Sequence, residues 1–373
     1  MKKMVLAGIA LGLLLTGCGG GLKGEIPIGA VWSLTGAGGS QYSGPQMQGA
    51  QLAVEEINSG KMLGKAKIKL IVKDDGSTPE RARAAFQSLI TLDNVVAILG
   101  PTLSSSAKVS DPVAQSAKVV VLGVSNTSSG ITEIGDFVFR NSLPESAVQP
   151  FTAKIAQEKL GVKRVAIVYT EADDFSVSSQ EAFKTAFTEN GVNVVTVRGI
   201  PQGAVDVRRQ MDDIKALNPD AIVITSLVEE AVLVMKQARD IGIPNSVVFI
   251  GGNNFNTSRL AELAGSLAEG AISGAAWHAS QTTPGNQAFV RAYFKKYGTD
   301  PDQFASQAYA GVYLLAAAIK EAKSDDPLLI RDALANIRDQ DTILGKFSFS
   351  PDREPSYSPV VQVIKNGKFA ILP

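Results

Sequence analysis

The sequence predicts an α/β fold of two similar lobes, each a parallel sheet covered by helices on both faces. Three observations point there. Short apolar runs alternate with segments whose apolar residues recur at helical spacing, the pattern of repeated strand–helix–strand units. The alternation runs to about residue 124 and restarts at residue 164 in the same order. The chain has 373 residues, too many for one ordinary core and suited to two.

Taken in order, residues 26–32 form a short apolar strand, followed by a loop (33–44) that carries one aromatic, Tyr42. Residues 46–58 place Met47, Ala50, Ala53, Val54 and Ile57 on one helical stripe. A strand at 67–72 leads to Asp74-Asp75, with Thr78 as N-cap and Pro79 as first residue of the next helix. Residues 95–99 are a buried strand stopped by Gly100-Pro101, then three serines (104–106) and a helix at about 107–116. Residues 119–124 are a strand ending in Ser125-Asn126-Thr127-Ser128-Ser129-Gly130. The second series has strands at 164–169, 192–197, 221–225 and 247–250. Helices fall at 178–189, 205–217 and from Glu230 to about residue 240. Helices at 287–296, 303–323 and 328–336 follow, then strand segments at 345–350, 360–364 and 369–372, the last two joined by an Asn366-Gly367 hairpin turn. These late elements return to cover the first lobe and then complete the second.

Two neighbouring strands thus end, at their carboxyl edges, in small hydroxyl residues and free backbone N–H groups. In an open parallel sheet ligands sit at that edge. A helix start flanked by Ser104, Ser105 and Ser106 favours a carboxylate, because its unpaired N–H groups and its dipole attract negative charge.

Composition narrows the function. Lys plus Arg equals Asp plus Glu, 36 each, with no polybasic run, so nucleic acid is not a partner. His278 is the only histidine and Cys18 the only cysteine, which argues against His/Cys metal sites and Ser-His-Asp catalysis. There is no Walker A sequence. The expectation is a binding protein with no cofactor and no metal, not an enzyme. Met1-Lys2-Lys3 and the apolar run after it read as a secretion signal (1–17), Leu15-Thr16-Gly17-Cys18 as a lipidation site at Cys18, and 18–24 as a tether. The expected location is outside the cytoplasmic membrane, held by lipid alone.

The segments SLTGAGGSQYSGPQMQGAQLAVEEIN, ILGPTLSSSAKVSDPVAQ, VLGVSNTSSGIT, PDAIVITS and QAYAGVYLLAAAI, in that order and spacing, resemble the type I periplasmic solute-binding proteins of the leucine/isoleucine/valine class. The resemblance covers about residues 25–372. It implies two Rossmann-like lobes, 25–142 with 280–344 and 143–279 with 345–373, joined by a three-segment hinge near 141–144, 275–281 and 344–348 that closes on a ligand. It implies that Ser104 and Ser105, with Ser125, Asn126 and Thr127, hold the ligand's carboxylate and ammonium end. Tyr42 would line the pocket from the first lobe, and Phe175, Ser226 and Asn253 from the second. It also implies a permease with a cytoplasmic ATPase as partner, and a monomer. One departure stands out: many amino-acid-binding members place an acid where this chain has Asn253, and an amide gives an ammonium no charge-assisted bond. Asp173, Asp174 or Glu229 would then substitute, or the ligand is an amide or urea. A sensory or regulatory module of the same fold is the other alternative.

Overall fold

The computed structural model describes residues 22–372; Cys18 and the apolar segment before it lie outside the described residues. Five parallel strands build the first sheet: β1 (Lys23–Trp32), β2 (Lys65–Asp74), β3 (Ala97–Leu99), β4 (Val120–Gly123) and β5 (Val138–Arg140). Helices α1 (Ser40–Ser59), α2 (Pro79–Thr91) and α3 (Ser104–Ala117) connect them. After α4 (Glu145–Leu160) come β6 (Arg164–Thr170), β7 (Asn193–Ile200), β8 (Ala221–Ile224), β9 (Val248–Gly251) and β10 (Ile272–Ala275). Helices α5 (Asp174–Glu189), α6 (Arg208–Ala216), α7 (Val228–Asp240) and α8 (Ser258–Ala264) separate these strands. The first sheet runs β2-β1-β3-β4-β5 and the second contains β7-β6-β8-β9-β10, the same order. The restart read in the sequence is therefore a repeat of topology.

The chain returns through α9 (Asn286–Tyr297), α10 (Gln303–Ala322) and α11 (Pro327–Ala335) to a small sheet of β11 (Gln340–Thr342), β12 (Gly345–Phe349) and β13 (Pro355–Ser356). It ends in β14 (Val360–Lys365), antiparallel to β10, and β15 (Lys368–Ile371).

Each sheet is buried on both faces, which explains why β3 (AIL) and β8 (AIVI) are continuous apolar runs. Ile28, Leu99, Leu122 and Phe139 pack under α1 and α10, while Phe86, Leu89, Ile98 and Val121 form the opposite face. In the second lobe Ile222, Ile224, Met211 and Val234 fill one face and Ile167, Val223, Phe183 and Phe187 the other. Gly49 lets α1 and α10 touch: a Cβ there would stand 2.1 Å from the Ala305 carbonyl oxygen.

Three local differences from the sequence reading bear on the site. Helix α1 begins at Ser40, so Tyr42 rides on a first helical turn and not in a loop; Pro45 cannot donate to the Gln41 carbonyl, which accepts from the Thr257 hydroxyl at 3.1 Å instead. Helix α3 begins at Ser104, so the three serines are its first turn, not its preceding loop. The third crossing between lobes also moves. Phe347 and Phe349 belong to the first lobe's core, Phe349 lying 5.2 Å from Phe139 between ring centroids. Buried Arg140 grips Glu354 through Nε at 2.7 Å and Nη2 at 2.6 Å. The chain therefore crosses between β13 and β14, about ten residues later than the expected 344–348, where the Tyr357 hydroxyl donates to the Asn141 carbonyl at 2.7 Å.

Candidate ligand cleft between the lobes

In both lobes the strand order reverses at the first strand, so the carboxyl ends of β1 and β3, and of β6 and β8, flank a crevice. The two crevices face each other. Between them lies a cavity of about 20 Å³, the space of roughly one water. It is lined by Tyr42, Thr102, Leu103, Ser104, Ser125 and, from the other side, Phe175, Leu227, Asn253 and Asn254, with Phe304 closing it. None of these residues is charged. The two rings of Tyr42 and Phe304 lie 4.7 Å apart and pack into the second lobe's cluster with Phe175 and Leu227.

The first-lobe wall is polar. Ser104 Oγ accepts from the Thr127 and Ser128 N–H groups at 3.2 and 3.3 Å, so it ties the two hydroxyl loops together and keeps its own proton to donate. The Ser125 hydroxyl donates to the Thr102 carbonyl at 2.7 Å. The first turn of α3 directs its N–H groups to the same place.

The remaining expected residues are placed differently. Ser105 bridges the lobes: its Oγ donates to Asp173 Oδ2 at 3.3 Å and accepts from the Asp174 N–H at 3.0 Å. Asn126 turns away, its Nδ2 donating to the Pro101 carbonyl at 3.1 Å. Thr127 and Ser226 are buried, each hydroxyl without a partner, and neither lines the cavity. Asn253 does line it, donating Nδ2 to the Ser125 carbonyl at 3.0 Å and accepting from Gln303 Nε2 at 2.5 Å.

The three candidate acids are engaged elsewhere. Asp173 caps α5 through the Ser176 N–H at 2.8 Å; burial pushes its carboxyl up to about 6 against the hydrogen bonds from Ser176 and Ser105. Asp174 pairs with Lys108 across the lobes at 2.6 Å. Glu229 accepts from Gln41 Nε2 at 2.9 Å. With the Tyr42 hydroxyl accepting from the Val228 N–H at 3.2 Å, these contacts hold the lobes together.

Thr102, Leu103 and Phe304 escaped the sequence reading; Phe304 comes from α10, some two hundred residues from the hydroxyl loops, and only the return of α10 against α1 brings it in. A larger open groove of 580 Å³ lies on the hinge flank, lined among others by Trp277, His278, Asp300 and Lys368. It shares no lining residue with the cavity between the lobes. His278 is engaged there with Ser280 and the Phe369 carbonyl.

Comparison with known proteins agrees with this architecture. The chain is 26% identical over 321 residues to Leu/Ile/Val-binding protein homolog 7 of Brucella abortus, covering 79% of each. It superposes on the leucine-binding protein LivK of Thermotoga maritima with TM-score 0.88 at 27% identity, covering 93% of this chain and 98% of that one. It superposes on LivJ of Streptococcus pneumoniae, solved with isoleucine, with TM-score 0.86 at 27% identity, covering 93% and 99%. A Rhodopseudomonas palustris solute-binding protein solved with benzoate shares the fold, with TM-score 0.84 at 22% identity over 93% and 95%. The family model for periplasmic binding proteins matches residues 25–368, nearly the whole of the described chain, and the chain belongs to that family.

Proposed function

We propose that this chain is the extracytoplasmic receptor of an ABC importer. It closes its lobes on a small carboxylate-bearing ligand, a neutral or branched-chain amino acid being the reading best supported, and delivers it to a membrane permease. The supporting observation is the opposition of the α3 first turn, with Ser104, to the apolar wall of Phe175, Leu227 and Phe304. A carboxylate suits the first and an aliphatic side chain the second. A micromolar receptor needs only about 8 kcal/mol of net binding, within reach of a few charge-assisted hydrogen bonds and one buried apolar side chain. Since the closed cavity has room for about one water, the lobes must part to admit the ligand. Residues 25–142 with 280–356 would move against 143–279 with 357–373. Cys18 would carry the lipid that tethers the protein; among the described residues no helix is long and apolar enough to cross a membrane.

Asn253 favours a second ligand class, amides or urea, because its amide both donates and accepts. The test is a thermal-shift series on the full-length chain with leucine, isoleucine, valine, acetamide, urea and benzoate, since a ligand of the native state raises the melting temperature with its concentration. A rise with the amino acids supports the main reading. A rise with amides or benzoate alone replaces it, and no rise with any compound turns the proposal towards a regulatory module.

A further inference from the structure

We propose that Glu145, and none of the acids on the cleft loops, is the anionic partner for a ligand's ammonium group, reached when the Asn253 side chain swings aside. The inference rests on the amino-acid reading of the cleft given above.

Asn253 is a partition. It lines the ligand cavity on one side and, on the other, a second cavity of about 10 Å³ in which Glu145, Gln303 and Gln307 stand beside the apolar Leu143, Val148 and Ala276. Glu145 lies directly behind the turn that carries Asn253: a Cβ on Gly252 would stand 2.8 Å from Glu145 Oε2. It is 2% exposed. Its backbone N–H donates to the Thr127 carbonyl at 3.2 Å, so it is continuous with the loop that Ser104 anchors.

The partners of this carboxylate are all neutral. Oε2 accepts from Gln149 Nε2 at 2.5 Å and from the Ser179 hydroxyl at 2.6 Å. Among the described residues no Lys, Arg or His lies within 4.0 Å of it; the buried guanidinium of Arg140 is committed to Glu354. Burial raises the Glu145 carboxyl above its ordinary range, against hydrogen bonds from Ser179 and Gln149 and the more distant charge of Arg140. A buried acid without a cation is costly unless it is protonated or gains one. The Thr127 hydroxyl faces the same carboxylate and completes no hydrogen bond of ordinary geometry.

The Asn253 amide shows where a donor is welcome, since its Nδ2 sits on the Ser125 carbonyl. An ammonium in its place has three N–H groups for three acceptors: the Ser125 carbonyl, Thr127 Oγ1 and the Glu145 carboxylate. The acid missing at position 253 is thereby replaced from the start of α4, outside every loop that a linear reading associates with the ligand.

The test compares leucine with 2-hydroxy-4-methylpentanoate, which differs only in carrying a hydroxyl for the ammonium. Dissociation constants are measured by calorimetry on the full-length chain and on Glu145→Gln, which keeps the shape and the Ser179 contact. The expected result is a loss of about thirtyfold or more for leucine and less than threefold for the hydroxy acid. An equal loss for both compounds shows a structural role and overturns the inference, as does unchanged leucine affinity or a wild-type preference for the hydroxy acid. If the wild-type chain binds neither compound, the amino-acid reading fails and the inference falls with it, an outcome distinct from the others because it appears before any variant is made. Should E145Q not fold, Asn253→Ala serves: with the partition gone, discrimination for leucine over the hydroxy acid is expected to hold or rise, and its collapse overturns the inference.

Discussion

The two walls of the cleft come from sheets that share the order of five parallel strands, yet their chemistry is opposite. At the end of β3 and β4 stand Thr102, Ser104 and Ser125, bonded to one another's loops. After β6 and β8 stand Phe175 and Leu227, buried in the second lobe's apolar cluster. An open parallel sheet offers its ligand site at the carboxyl ends of its strands, and here the residues that follow those strands differ in chemistry between the two lobes. On the proposed function, a ligand's carboxylate meets the hydroxyls of the first wall, and its apolar end meets Phe175 and Leu227 of the second.

The sharpest way to break that assignment is Phe175→Ala. Phe175 is 5% exposed, and truncating a buried phenylalanine costs about 3–5 kcal/mol. The melting temperature should fall by several degrees, and affinity for leucine should drop far more than affinity for alanine. An equal drop for both would show that the second wall does not read the apolar end.

Asp173 provides the next test, from the seam between the walls. Its carboxyl is raised to about 6 by burial, with Asp174 and Glu230 adding repulsion and Lys108 neutralising Asp174. A raised carboxyl stabilises the fold fully below its unfolded value near 4, and that contribution is lost as pH rises through about 6. Asp173→Asn keeps the cap on α5 and removes this titration. It should raise the stability at pH 7.5 by roughly 2–3 kcal/mol and flatten the melting profile between pH 4 and 6. Asp302, also raised to about 6 by burial, leaves a residual slope in the variant. A profile unchanged by the substitution would remove Asp173 from the closed seam.

How much of this the sequence shows depends on distance along the chain. Ser104 is legible because Gly100-Pro101 ends a buried strand just before it, and strand end plus helix start is a local pattern. Asn126 has the same local credentials, but its amide is consumed by the Pro101 carbonyl, a tertiary fact with no local signature. Phe304 and Glu145 were hidden for the opposite reason. Phe304 looks like one more apolar residue at the head of an Ala- and Leu-rich helix. Glu145 opens α4, a helix with Pro144 before it and Pro150 within it and only a weak apolar stripe, so the segment gave no helical signal. The lobes were legible because alternation is a local pattern repeated; the third crossing was not, because β12 is assigned to the first lobe by Phe347, Phe349 and Glu354 meeting residues some two hundred positions earlier.

Ser104→Ala addresses the polar wall. It leaves the buried Thr127 and Ser128 N–H groups without their acceptor and removes the hydroxyl offered to the carboxylate. The cost should be about 1–3 kcal/mol in stability and about tenfold in ligand affinity. The loss should be the same for every carboxylate, whatever its side chain, which is the mirror image of Phe175→Ala. If Ser104→Ala instead discriminated by side chain, the division of labour between the walls would be wrong.

The smallest effect belongs to Lys108→Ala. The Lys108–Asp174 pair spans the lobes at 2.6 Å with both side chains more than a third exposed, so it contributes no more than about 0.5 kcal/mol and less as salt rises. Its value lies in what it isolates. It touches neither wall, only the balance between open and closed lobes. It should therefore weaken every ligand by the same small factor, about twofold, and the difference from wild type should vanish in 1 M salt. On the proposed function, the walls would set which ligand binds, and seam contacts such as this one how readily the lobes close on any of them. A Lys108→Ala effect that depended on the ligand would mean that seam and walls are coupled, and the assignment of ligand recognition to the walls alone would have to be given up.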